Sequence, residues 1–171
     1  MAKILMVIAQ TGFRDEELLV PKEMLEKAGY TVMVASITRS KATGARGLVL
    51  QPDMAIFEAN PDFFEAVIVV GGPGSPSLAG RKDVNDIVSG ANAKGKVIGG
   101  ICLGVMAVAT SGILANKSAT VFPDRQAVLL LRDNGARYVN QPVVVDGKIV
   151  TADGPANAGK FGTAILELLK K

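Results

Sequence analysis

The chain contains no histidine, and only one cysteine, Cys102, among its 171 residues. Histidine is the side chain that titrates near neutral pH and the commonest zinc ligand. Its absence excludes a cysteine, histidine and acid triad within this chain, and one completed by an identical neighbour. No metal site and no cofactor is expected. A single cysteine excludes an internal disulfide, which agrees with a reducing compartment. No apolar run approaches the roughly 20 residues needed to cross a bilayer. The start MAKILMVIAQ runs into a polar turn without a cleavage-site pattern. The expectation is a soluble, cytoplasmic protein with no membrane partner. Lys and Arg (19) and Asp and Glu (16) are interspersed, and the formal charge is +3. Without a basic stripe, nucleic acid is not expected as a partner.

What is present is apolar sequence, 49% of the chain, enough for one substantial core and one domain spanning residues 1–171. Strand-like runs alternate with helical patterns: strands at 3–9, 31–36, 66–70 and 96–101, and helices at 16–28, 84–94 and 156–169. Such alternation predicts an α/β fold with a mostly parallel sheet covered on both faces. Residues 45–49 read as a short added strand, and PVVVDGKIVTAD reads as a hairpin turning at Asp146-Gly147.

Cys102 lies where the strand at 96–101 meets residues 103–110, which are apolar on every side, as in a helix packed inside a protein. Gly100 and Gly104 flank it as G-x-C-x-G, the cysteine form of a nucleophile elbow. A thiol at the first turn of a helix faces unpaired N–H groups and the positive end of the dipole, which favour the reactive thiolate.

Ligands of open parallel sheets gather at the carboxyl ends of the strands. After the first strand, QTGFRDEELLVP brings Asp15, Glu16 and Glu17 to a helix start. Glu17 shares a stripe with Pro21, Met24 and Ala28, so it points inward, whereas Glu16 shares one with Val20, Glu23 and Lys27. Pro21 cannot donate to the Glu17 carbonyl, so the helix should kink or loosen there. A carboxyl held inside against a thiolate has its pKa raised and can stay protonated, donating to the sulfur. The plainer alternative is a helix-start acid that interacts with the dipole. The loop VVGGPGSPSLAG carries Gly71 and Gly72. With the N–H of Leu103, that of Gly72 would form an oxyanion hole. A phosphate cradle is the alternative, though there is no P-loop lysine and no G-x-G-x-x-G. TADGPANAG, with Gly154 and Pro155, is turn chemistry that could rim a pocket.

These residues resemble the ThiJ/PfpI superfamily, which has a flavodoxin-like, three-layer α/β/α sandwich fold. Its members include intracellular proteases, a protein deglycase, glutathione-independent glyoxalases, isonitrile hydratases and stress chaperones. The resemblance covers nearly the whole chain through FRDEELLVP, VIVVGGPG, GGICLGVMAVATSGIL and VVVDGKIVTADGPANAG. It implies Cys102 as nucleophile, Glu17 as its hydrogen-bonding acid, Gly72 and Leu103 as oxyanion donors, and a homodimer or larger assembly. Gly71, Phe122, Gly154 and Pro155 fall at the rim of the pocket. Protease-like members carry histidine where this chain has Leu103, and deglycase-like members carry one where it has Phe122. Peptidase activity is therefore disfavoured. The reading is a cysteine enzyme acting on a small reactive carbonyl or its protein adduct, with Glu17 moving the proton. The alternatives are an oxidative-stress sensor or chaperone with an oxidisable Cys102, and a fold that has lost its activity.

Overall fold

The computed structural model describes residues 2–171. In chain order its elements are β1 (Lys3–Val7), β2 (Thr11–Phe13), α1 (Asp15–Lys27), β3 (Thr31–Ser36), β4 (Ala42–Gly44), β5 (Val49–Leu50) and β6 (Met54–Ala55). Next come β7 (Ala66–Val69), α2 (Lys82–Ala93), β8 (Val97–Ile101), α3 (Val105–Thr110), β9 (Ser118–Ala119) and α4 (Arg125–Asp133). The chain closes with β10 (Arg137–Tyr138), β11 (Val143–Asp146), β12 (Ile149–Ala152) and α5 (Ala158–Leu169).

The main sheet runs β11-β12-β8-β7-β1-β3-β6, parallel except for β11, which lies antiparallel on β12. Its central strands are almost wholly apolar because both faces are covered. Successive residues of β1 serve opposite faces: Leu5 and Val7 pack beneath α2, α3 and α4, while Ile4 and Met6 pack beneath α1 and α5. The result is a three-layer α/β/α sandwich. From β1 the chain moves one way to β3 and the other way to β7, so the crevice of the sheet opens at the carboxyl ends of β1 and β7. Among the described residues no helix is long and apolar enough to cross a membrane.

The expected elements are found with shifted ends, and the 146–147 hairpin forms with Asp146 opposite Ile149. One expectation needs correction. Residues 45–48 are a turn, with Gly47 at φ +99°, and the strands are β4 and β5 on either side of it. They pair antiparallel, and β2 joins the far edge of β4. Pro21 lies inside α1, which continues through it as one helix to Lys27. The unforeseen α4 starts at Asp124, whose carboxylate accepts from the Ala127 N–H at 3.0 Å, and it buries Ala127 and Leu131 four residues apart.

Two glycines separate packing from backbone propensity. A Cβ on Gly104 would stand 2.7 Å from the Val69 carbonyl oxygen, whereas one on Gly159 in α5 would meet nothing within 4 Å. In urea denaturation, Gly104→Ala is expected to lose about 1–3 kcal/mol, and Gly159→Ala to gain about 0.5 kcal/mol. Equal effects would contradict this packing.

Candidate active site

β8 ends at Ile101 in extended backbone, and the chain turns at once through a 3-10 turn, Cys102–Gly104, into α3. Cys102 has φ +58°, a left-handed conformation that costs a residue other than glycine about 1–2 kcal/mol. The neighbouring glycines make the bend possible. A Cβ on Gly100 would lie 2.9 Å from Val108 Cγ2, and one on Gly104 would press on Val69 and Val70. Both positions put strand and helix backbone too close for a side chain. The elbow is therefore held by packing on two sides, with Cys102 7% exposed.

Glu17 reaches the elbow from α1. Its side chain is buried while that of Glu16 is 41% exposed, the division that helical spacing predicts. A Cβ on Gly71 would lie 2.5 Å from Glu17 Oε1, 2.5 Å from the Ile101 carbonyl oxygen and 2.7 Å from Cys102 Cβ. Glu17, Gly71 and Cys102 thus meet at one point. Neither Glu17 oxygen completes a hydrogen bond of normal length and angle. The Cys102 thiol and the Gly71 N–H approach it closely enough to favour its ionised form, but as poorly aligned contacts rather than formed bonds.

Burial pushes the Glu17 carboxyl up from 4.5 to about 8, against the pull of the thiol, the Arg14 charge and the Gly71 N–H. Glu17 is accordingly neutral at pH 7. Burial also pushes the Cys102 thiol up to about 12, and the Glu17 carboxylate adds to the rise. This corrects the expectation of a thiol lowered by its helix. The N–H groups of Leu103 and Gly72 do pull it down, but α3 spans six residues, and desolvation outweighs them. The two acids titrate as a pair that yields its first proton near pH 8.

The Gly72 N–H is aimed by a bond on the other side of its peptide plane. The Gly71 carbonyl accepts from the Arg14 N–H at 2.8 Å, and in a trans peptide the following N–H points the opposite way, here toward Cys102. Gly72 has φ +114°, and a Cβ there would stand 2.4 Å from the Arg14 nitrogen. Beyond it, the Ser75 Oγ–H and N–H hold the Gly72 carbonyl at 2.8 and 3.0 Å. At the rim, the Phe122 N–H donates to the Cys102 carbonyl at 3.4 Å, and a Cβ on Gly154 would lie 3.9 Å from Phe122 Cδ1. Phe122 is 42% exposed. Pro155 opens the turn Pro155–Asn157 that leads into α5. Two grooves, about 630 Å³ beside Phe57 and Arg81 and about 380 Å³ beside Leu129 and Tyr138, do not include the elbow.

Sequence reasoning missed Arg14 and the part played by Asp15. Asp15 accepts from the N–H groups of Arg46 and Leu48 at 3.1 and 3.0 Å, fastening the 45–48 turn to the start of α1. Arg14 donates its Nε–H to Glu16 at 2.9 Å. The only signal available was their adjacency to Glu17. Of three consecutive acids, one ties a loop, one pairs with Arg14, and one faces the thiol.

A family model described as DJ-1/PfpI matches residues 2–168, and the chain belongs to that family. It is 39% identical over 99% of its length to a protein of Methanocaldococcus jannaschii, covering 83% of that chain. It is 28% identical to a deglycase of Pyrococcus abyssi, covering 96% of this chain and 98% of that one. It is 25% identical to a glutathione-independent glyoxalase of Caenorhabditis elegans, covering 97% of this chain and 88% of the other. The crystal structure of a ThiJ/PfpI domain protein from Brachyspira murdochii superposes with a TM-score of 0.93 at 30% identity, over 98% of this chain and 96% of that one.

The raised carboxyl fixes a sign for stability against pH. Unfolded Glu17 ionises near 4.5 and folded Glu17 near 8. Between those values the folded state holds the extra proton, so stability is lost as pH rises across that window and levels off above it. The limit is about 1.4 kcal/mol per pH unit. In urea titrations from pH 4 to 9, the wild type is expected to lose a few kcal/mol more than Glu17→Gln. Parallel curves would mean that Glu17 ionises freely.

Proposed function

We propose that this chain is a cysteine-dependent enzyme of reactive carbonyls, taking α-oxoaldehydes or the hemithioacetals they form on proteins. The relatives named deglycase and glyoxalase support a carbonyl-related activity. The observation that carries the reading is the meeting of Cys102, a neutral Glu17 and two N–H groups at one elbow. A homodimer or larger assembly and a cytoplasmic setting belong to the same reading.

The chemistry balances with one thiol and one carboxyl. Once Glu17 has lost its proton, its carboxylate takes the Cys102 S–H proton as Sγ adds to the aldehyde carbon of methylglyoxal, and passes it to the new oxyanion, which lies against the Gly72 and Leu103 N–H groups. The Glu17 carboxylate then takes the hydrogen of that carbon and returns it to the neighbouring ketone carbon by way of an enediol. The aldehyde carbon is oxidised to a thioester and the ketone carbon reduced to an alcohol, so no outside oxidant is needed. Water cleaves the thioester, releasing lactate and the thiol. The oxidation-sensor reading is less well supported, because a sensing thiol is exposed and of low pKa, while Cys102 is buried and pushed up to about 12.

Pure protein with methylglyoxal is expected to form lactate, and Cys102→Ser to abolish it. Glu17→Gln should slow it by roughly 10²–10⁴-fold. The rate should rise with pH through about 8, where the pair loses its first proton. In Glu17→Gln the iodoacetamide profile of Cys102 should move downward, since the Glu17 carboxylate is one of the causes that push the thiol up to about 12. Absence of lactate with intact, reduced protein would refute the activity, and an unmoved profile would refute the pairing.

A further inference from the structure

Arg14 stands at the junction of every part of the site yet has no role in the steps above. Its N–H holds the Gly71 carbonyl at 2.8 Å, and its backbone is packed against Gly72, so the residue is anchored beside the oxyanion loop. Its side chain is drawn in, 31% exposed, with Nε–H given to Glu16 at 2.9 Å. Among the described residues no hydrogen bond takes up its Nη groups, the paired donors that match a carboxylate. The charge is close enough to act on both Glu17 and Cys102. A guanidinium whose backbone is anchored beside the Gly71–Gly72 loop, steadied by one carboxylate and left with its fork open, is arranged to receive an anion.

Resting on the carbonyl reading above, we propose that Arg14 is an anion subsite of the Cys102 pocket, and that the preferred substrates are small carbonyl compounds that also carry a carboxylate. Glu16 selects among anions. With one carboxylate already on Nε, the Arg14–Glu16 pair has no net charge, so the open fork holds a monoanion by paired N–H donation while a phosphate dianion meets more repulsion from Glu16. The carbonyl would face Cys102 and the N–H groups of Gly72 and Leu103, with the carboxylate turned to the Arg14 fork. Arg14 is a binding and specificity residue that takes no part in proton transfer.

The test compares two reagents for the same thiol, one anionic and one neutral. In the wild type, the ratio of Cys102 alkylation rates by iodoacetate and iodoacetamide is expected to fall about tenfold on Arg14→Gln, as for loss of one charge-assisted contact. Arg14→Lys should restore part of it, and added salt should reduce the wild-type ratio. Pyruvate should protect Cys102 from iodoacetamide in the wild type and fail to do so in Arg14→Gln. A ratio unchanged by Arg14→Gln would overturn the subsite, and protection by inorganic phosphate equal to that by pyruvate would overturn the preference for a monoanion. These readouts need no turnover. A failed lactate assay therefore refutes the activity alone, and an unchanged alkylation ratio refutes the subsite alone.

Discussion

Burying Glu17 between α1 and the β7 loop takes a carboxyl out of water without completing a hydrogen bond to either oxygen. Desolvation of a charge is among the largest penalties a fold can meet, so the group responds by keeping its proton. The rest of the site follows from that. Gly71 must be a glycine because Glu17 Oε1, the Ile101 carbonyl and Cys102 Cβ leave no room for a Cβ. The thiol opposite is raised by the same dryness, and would be raised further by a carboxylate, so the pair holds two protons at neutral pH and gives up the first reluctantly. Reactivity here is set by burial more than by the helix dipole, and α3, at six residues, has little dipole to offer.

Strain and alignment are supplied from outside the pair. The left-handed backbone at Cys102 persists because Gly100 and Gly104 let α3 lie directly on β8 and β7, and the surrounding contacts repay the conformational cost. The peptide plane between Gly71 and Gly72 works as a lever. Arg14 pulls its carbonyl one way, so its N–H faces the sulfur. That arrangement links α1 to the oxyanion loop through backbone alone, and it would survive changes to the Arg14 side chain. The orientation of the Gly71–Gly72 peptide is therefore independent of what the Arg14 side chain contacts.

Much of this was legible in the sequence. Lone Cys102 between glycines at the end of an apolar run, and Glu17 on the same helical stripe as Pro21, were enough to place the elbow and its acid. The parallel core was equally readable, because β1, β7 and β8 are near-continuous apolar runs with no polar face. What escaped depends on contacts distant in sequence. The pairing of β4 with β5 turns on Gly47, and on Asp15 gripping the Arg46 and Leu48 N–H groups more than thirty residues away. The direction of the thiol pKa depends on how deeply α1 and the β7 loop bury it, a quantity that local pattern does not contain.

The missing histidines take on a physical meaning in this setting. Where relatives of the protease type are expected to carry one, Leu103 packs against the apolar clusters on both faces of the sheet. At the rim, Phe122 presents a ring beside Gly154, with its N–H on the Cys102 carbonyl. An imidazole at either position would bring a hydratable base and water with it. Leucine and phenylalanine bring neither. The burial of Glu17 itself is what keeps its carboxyl protonated. The carboxyl, ionised in water, holds its proton at neutral pH in this setting. The same dryness strengthens any charge left at the mouth, which is why a single guanidinium at Arg14 weighs more here than it would on an open surface.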